Sequence, residues 1–524
     1  MSRSPSSPAP SGADSVTRIA EGYVFEGPAL DLGALLWPDG TGLGCRPDVP
    51  VRVPLAVLNR HGLVAGATGT GKTKTLQLLA EQLSDQGVPV FLADIKGDVS
   101  GISAPGAEGD KVRQRAAEVG QDWSPAGFPT EFYALGGIGT GVPLRATVTD
   151  FGPVLLAKVL GLNPTQEQSL GLIFHYADGK GLELIDLKDL RAVVAFLTSD
   201  EGRPELKGIG GLSSQTAGVI LRALTAFEQQ GAGPFFGEPA FDTAELLRTA
   251  PDGRGTVSVL ELPAVQDRPQ LFSTFLMWLL ADLFQGLPEV GDLDRPKLVF
   301  FFDEAHLLFK GASKAFLESI TQTVRLIRSK GVGIFFVTQS PRDVPADVLG
   351  QLGSRVQHAL RAFTPDDAKA LKATVSTFPV SPYDLEEVLT GLGTGEAVVT
   401  VLSEKGAPTP VAATRLRAPR SLMGPVDAAA LEGAVRASEP YGRYAQAVDR
   451  ESAYEKLTAA AGAAPAEAPP EEPARRPEAK RPEPSLVEQV VGSGVFKSLA
   501  RSVGTQIGRE ITRSLFGTTR RRRR

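Results

Sequence analysis

The run Gly66-Ala67-Thr68-Gly69-Thr70-Gly71-Lys72-Thr73 limits the possible fold more than any other stretch of the 524 residues. It follows the apolar segment Gly62 to Ala65 and opens the helix-periodic segment Lys72 to Gln86, so it occupies a strand-to-helix turn. Its glycines let successive backbone N–H groups turn inward around phosphate, and the start of a helix adds positive potential. The phosphate-binding set is therefore Gly66, Ala67, Thr68, Gly69, Thr70, Gly71, Lys72, Thr73 and Lys74. Lys72 would reach the β- and γ-phosphates, and the Thr73 hydroxyl would face Mg2+. A second apolar strand, Pro89 to Asp94, comes after a short connection at Gly87. Strand, turn, helix and strand in this order make a βαβ unit, which builds a parallel sheet with helices on its faces.

A phosphate loop of this kind needs an acid at the end of another apolar strand, and Leu298 to Phe302 runs into Asp303-Glu304. Asp303 is the metal-shell residue beside Thr73, and Glu304 is the candidate to polarise an attacking water. The cofactors that this set requires are ATP and Mg2+. Gln339, at the end of the strand containing Val337 and Thr338, is the candidate sensor of the γ-phosphate; a turn-capping role fits its residue type as well. Arg328 and Arg355 are candidates for the positive charge on the transition state, and each also reads as an ordinary exposed charge. An arginine supplied in trans requires an oligomer. Asp94 and Asp98 either order metal or water at the same sheet edge or belong to a surface turn. His306 reads as a helix-packing residue or a coupler to the γ-phosphate.

The chain divides by composition and periodicity. Residues 1–17 are Ser/Pro/Ala-rich with no apolar stretch, so they read as a disordered leader and not as a signal peptide. A short β-rich lead-in is expected over 18–54 and the first part of an α/β core over 55–148. A helical insertion spans 149–250, the second part of the core 251–420, and a helical extension 421–457. An Ala/Pro/Glu linker, 458–484, then isolates a basic amphipathic tail helix, 485–524. In that tail Phe496, Leu499, Val503, Ile507, Ile511 and Leu515 share one helical face, and Arg520 to Arg524 end the chain. Net charge sharpens the division: the chain carries −5 in all, yet its last 29 residues hold nine bases against the single acid Glu510. An acidic body excludes a general nucleic-acid glue and confines any DNA contact to a local channel. The tail suits a protein partner or an anionic surface. One cysteine, Cys45, and four scattered histidines exclude a disulfide framework and argue against a zinc site. The longest apolar helical stretch, Leu271 to Phe284, is too short to span a bilayer, so a cytoplasmic protein without a transmembrane segment is expected.

Asp303-Glu304-Ala305-His306 is similar to the signature of DEAH-box helicases, but no second RecA-like half follows it. A wider set of motifs resembles the HerA/FtsK superfamily of ring ATPases, and in particular the bacterial HerA-like proteins of the YjgR type. It comprises Arg60-His61-Gly62 leading into the phosphate loop, Asp94-Ile95-Lys96-Gly97-Asp98, Asp303 to His306, Arg325 to Arg328 running through Gly331-Val332-Gly333 into Thr338-Gln339-Ser340-Pro341, and Ser354 to Arg361. The resemblance covers about Leu55 to Arg415. It implies an α/β RecA-like P-loop core with a mainly parallel sheet and a homo-oligomer, usually hexameric, that moves double-stranded DNA by hydrolysing ATP. It also implies the roles Walker A for Lys72 and Thr73, Walker B for Asp303 and Glu304, sensor for Gln339, and finger for Arg355 or Arg328. Two departures bear on DNA: a short lead-in and the insertion at Thr149 to Thr249. They leave a second reading, an ATP-driven switch or scaffold for protein assembly without translocation.

Overall fold

Twelve strands form one sheet in the computed structural model, which describes residues 12–462 apart from 41, 209, 292 and 310–313. They are β1 (Ala29–Pro38), β2 (Leu43–Pro54), β3 (Gly62–Ala65), β4 (Val90–Asp94), β5 (Thr130–Leu135), β6 (Val142–Leu144), β7 (Val257–Glu261), β8 (Leu298–Phe302), β9 (Val332–Thr338), β10 (Ser354–His358), β11 (Glu396–Thr400) and β12 (Ala412–Leu416). The spatial order is β2-β1-β12-β11-β10-β3-β9-β8-β4-β7-β5-β6. Every pair from β10 to β6 is parallel, and every pair from β10 back to β2 is antiparallel. The fold is thus α/β with a large, mostly parallel sheet, as a RecA-like core requires.

The parallel part is apolar because both of its faces are covered. All five residues of β4 and of β8 are buried, and the Phe91 and Phe300 rings stand 5.0 Å apart across the two strands. Each such phenylalanine contributes about 1.5–3 kcal/mol relative to an exposed one. The helix Pro269–Gly286 is buried along its whole length from Leu271 to Phe284, which explains why it is hydrophobic on all sides. Its one acid is not an orphan, since Asp282 accepts a 2.6 Å bond from the Thr243 hydroxyl.

The lead-in is built into the same sheet. β1 pairs with β12, so the first strands extend the core instead of standing apart from it. The helix Gly12–Gly22 precedes them and includes the end of the expected leader. Ile19 and Tyr23 are the reason it is ordered: both are buried, and the Tyr23 hydroxyl donates to the carbonyls of Val399 and Pro410 at 3.0 and 2.9 Å.

Between β6 and β7 the chain is helical, with Pro153–Val159, Pro164–Gly179, Leu187–Thr198 and Ser214–Phe227 as the main elements. Asn163 and Asp186 begin two of these through reciprocal capping boxes. The segment after Tyr444 straps this region: Arg450 pairs with Glu183 and Glu238, and Ser452 donates to Asp189. The helix Ala453–Gly462 follows and crosses the boundary expected at 457, because Ala453 is fully buried against the insertion and the amide of Tyr454 is held by Asp189. The rest of the linker and the basic tail helix lie outside the described residues. Among the described residues no helix is long and apolar enough to cross a membrane.

Candidate active site

Parallel strands aim their C-terminal ends at one edge, and the site is assembled there. β3 delivers the loop Gly66 to Gly71, β4 ends on Asp94, β7 on Glu261, β8 on Phe302 just before Asp303, and β9 on Thr338 just before Gln339. The loop is fixed by its neighbours. Gly66 N–H donates to Thr338 O at 3.2 Å and Ala67 N–H to Ala359 O at 2.8 Å, so β9 and the chain after β10 hold its two sides. Gly71 has a left-handed backbone, φ 111°, and a Cβ there would stand 3.2 Å from the Gly395 nitrogen. Gly395 in turn donates to Thr70 O at 2.9 Å, which makes the turn before β11 a wall of the loop. Arg115 braces that turn by donating to Gly395 O and Thr394 O, both at 3.0 Å.

Lys72 is buried and folds over the loop, with its Nζ donating to Ala67 O at 3.1 Å. Burial pushes its pKa down, while Glu304 and Asp303 act in the opposite direction. Beneath the loop lies His358, fully buried, with Nε2 2.8 Å from the Thr75 hydroxyl. Burial first, and then the Lys72 charge, push this imidazole down to about 4, so it is neutral at pH 7. Thr73 and Lys74 are half-buried at the start of the helix Lys72–Asp85. Lys74 donates to Gln77 Oε1 at 3.2 Å.

The two acids after β8 differ in environment. Asp303 is 4% exposed, accepts from Glu304 N–H at 2.9 Å through Oδ1, and has no partner on Oδ2. Burial, then the adjacent Glu304 charge, push it up to about 7. A buried acceptor without a donor fits a cation, and Asp303 with Thr73 would hold Mg2+, which would draw charge from the phosphates. Glu304 has φ 46°, an uncommon backbone for a non-glycine residue, and its Oε1 is bonded by Lys96. His306 Nδ1 stands 3.2 Å from Oε2, without hydrogen-bond geometry. Burial opposes ionisation of Glu304, but the bond and charge of Lys96, with His306 and Lys72, outweigh it and hold the carboxyl below its ordinary range. Glu304 is therefore a carboxylate at pH 7, as a group that orients water must be.

The other expected residues are placed less centrally. Gln339 is exposed at the right edge, one residue beyond Thr338, which pairs with Ala65. Arg328 is exposed in the turn Arg328–Lys330 before β9, at the opposite edge of the sheet. Arg355 pairs with Leu63 near the start of β3, and its guanidinium donates to the Thr377 hydroxyl at 2.5 Å. Neither arginine reaches the phosphate loop of its own chain, because each is carried by the beginning of a parallel strand and not by its end. Asp94 is a loop organiser: its carboxylate accepts from the N–H groups of Lys96, Gly97 and Val99 at 3.1, 2.8 and 2.8 Å. Three participants were not singled out from the sequence: Lys96, Glu261 and His358. Glu261 had a usable signal, an acid closing an apolar strand, the same signal that marks Asp94.

The sequence family described as helicase HerA-like C-terminal matches residues 44–524. No protein of curated function matches the chain. Among solved structures, the bacterial conjugative coupling protein TrwBdeltaN70 in its unbound form is similar at 16% identity, over 78% of this chain and 94% of that one, with a TM-score of 0.50. The plasmid coupling protein TrwB in complex with the GTP analogue GDPNP matches at 17% identity over 76% and 98% of the two chains, TM-score 0.49. VirB4 of Thermoanaerobacter pseudethanolicus matches at 15% identity over 75% and 98%, TM-score 0.45. The first of these is similar to this chain in its fold. With a phosphate-loop sequence between strand and helix and a family match over nearly its whole length, the chain belongs to the helicase HerA-like family and is a P-loop ATPase that uses ATP and Mg2+.

Proposed function

We propose that this ATPase is a motor that moves along double-stranded DNA as a homo-oligomeric ring, a hexamer by resemblance to its superfamily. The observation that carries the ring is the place of the arginines. Lys72 and Lys96 bring positive charge to the phosphate edge, but Arg328 is exposed at the far edge of the same sheet. A finger given in trans suits that position: the far edge of one copy meets the phosphate edge of the next, and each site is completed by its neighbour. Gln339, at the phosphate edge beside the loop, is the sensor in this reading, and Arg355, bonded to Thr377, is a structural residue.

DNA as the track is supported by membership of a helicase-like family. The acidic body is consistent with it only if the contacts line a pore, where local charge and not net charge decides affinity. The test is displacement of a third strand from a DNA triplex. A translocase strips it in an ATP-dependent manner without unwinding the duplex beneath, and Glu304→Gln does not. ATP hydrolysis with no displacement, by a protein whose mass by light scattering stays that of a monomer with ATP, would leave the assembly-switch reading in its place.

A further inference from the structure

Beside the phosphate loop, four carboxylates converge at the ends of three adjacent strands. Asp94 of β4 and Glu261 of β7 are register partners, Asp303 follows β8, and Asp98 closes the loop that begins at Asp94. One oxygen from each of Asp94, Asp98 and Asp303 lies within 4.8 Å of the other two. Glu261 abuts the same loop, since a Cβ on Gly97 would stand 3.7 Å from its Oε2.

A cluster of acids is commonplace on a surface, but three of these four are buried and Asp98 is half-buried. Asp94, Glu261 and Asp303 are 0%, 6% and 4% exposed. Three buried oxygens in the group, Asp98 Oδ1, Glu261 Oε1 and Asp303 Oδ2, have no hydrogen-bond donor. In the ionised form that binds a cation, carboxylate oxygens only accept, so they cannot satisfy one another. The lysines that act on the cluster bond elsewhere: Lys96 to Glu304, Lys74 to Gln77 and Lys72 to Ala67 O. Removing several anions from water without compensation costs several kcal/mol per charge, which a cation offsets. Oxygen-only donors at this spacing suit a hard divalent ion, whose ligand oxygens stand about 3–5 Å from one another across its shell.

We propose that Asp94, Asp98 and Asp303, supported by Glu261, form a site that binds Mg2+ or Mn2+ without nucleotide, so that the metal is resident and ATP joins it. The ordinary arrangement is the reverse, in which the metal arrives with the nucleotide and is held by Thr73. The inference does not depend on DNA translocation or on a ring.

The experiment is a titration of Mn2+ into the full chain without nucleotide, following the free-ion EPR signal. The expected result is one bound equivalent. Asp98→Asn should weaken it by about tenfold or more. If Asp98→Asn does not fold, as judged by circular dichroism, Glu261→Gln carries the same expectation. Mn2+ binding that appears only after a nucleotide is added overturns the proposal, and so does full-strength binding by both carboxylate variants. Either outcome leaves the ATPase assignment standing, because ATP hydrolysis is measured separately.

Discussion

The ammonium of Lys96 bonds Oε1 of Glu304, so the carboxylate proposed to polarise water shares one oxygen with a cation from the neighbouring strand's loop. Lys96 thereby determines the basicity of that group. Without its charge, burial is the dominant influence and the Glu304 carboxyl moves up. Because the ionised form is the active one, Lys96→Met should move the acid limb of the kcat–pH profile to higher pH. Profiles of the variant and the native protein check this, and superimposable acid limbs would remove Lys96 from the account.

Glu304→Gln keeps the size and loses the charge. It should bind ATP within a few-fold of the native affinity while kcat falls by about 10²–10⁴. Binding and single-turnover assays together separate this from a loss of nucleotide affinity, and native turnover in the variant would assign water activation elsewhere.

Gly71 adopts φ 111° at the entrance to the Lys72 helix, with the backbone of Gly395 directly beyond it. Gly71→Ala adds left-handed strain and a tight contact, about 1–3 kcal/mol in all. ATP affinity should drop by about tenfold or more, since 1.4 kcal/mol is a factor of ten. Titration with a fluorescent ATP analogue measures this; unchanged affinity would show that the turn before β11 yields freely.

Much of this site was legible in advance because its signals are local. Gly66 to Thr73 and Phe302-Asp303-Glu304 each place a chemical group relative to a strand end within a few residues. Two strands carry little signal of their own: β6 has three residues, and β12 reads Ala-Ala-Thr-Arg-Leu. Their pairing is set by the strands before them, β5 and β11, and not by their own propensity. The role of Lys96 is not local, since its partner lies 208 residues away and the β4–β8 pairing brings them together. The arginines were picked by motif position, which says nothing about which edge of the sheet a strand start occupies.

The buried histidines give the fold a pH dependence. His358 is held down to about 4, against 6.5 for a free imidazole, chiefly by burial. A depressed folded pKa means that the unfolded chain takes the proton first. The stability His358 provides is therefore complete above pH 6.5 and is lost as pH falls toward 4, at about 1.4 kcal/mol per pH unit. Glu261 and Asp303, pushed up to about 8 and about 7, gain protons in the fold over the same range and mask the effect in the native protein alone. The difference between native and His358→Gln stabilities, from urea unfolding at pH 7, 6 and 5, isolates it. That difference should shrink with acid, and a constant difference would contradict a neutral buried imidazole.

The central claim is that hydrolysis at this site is coupled to DNA, and the most direct measurement is the ATPase rate with and without duplex DNA across a salt series. DNA should stimulate the rate at low salt, with a stimulation that fades steeply as salt rises, because phosphate contacts in a pore release counterions. A hydrolysis rate indifferent to duplex DNA at every salt concentration would contradict it.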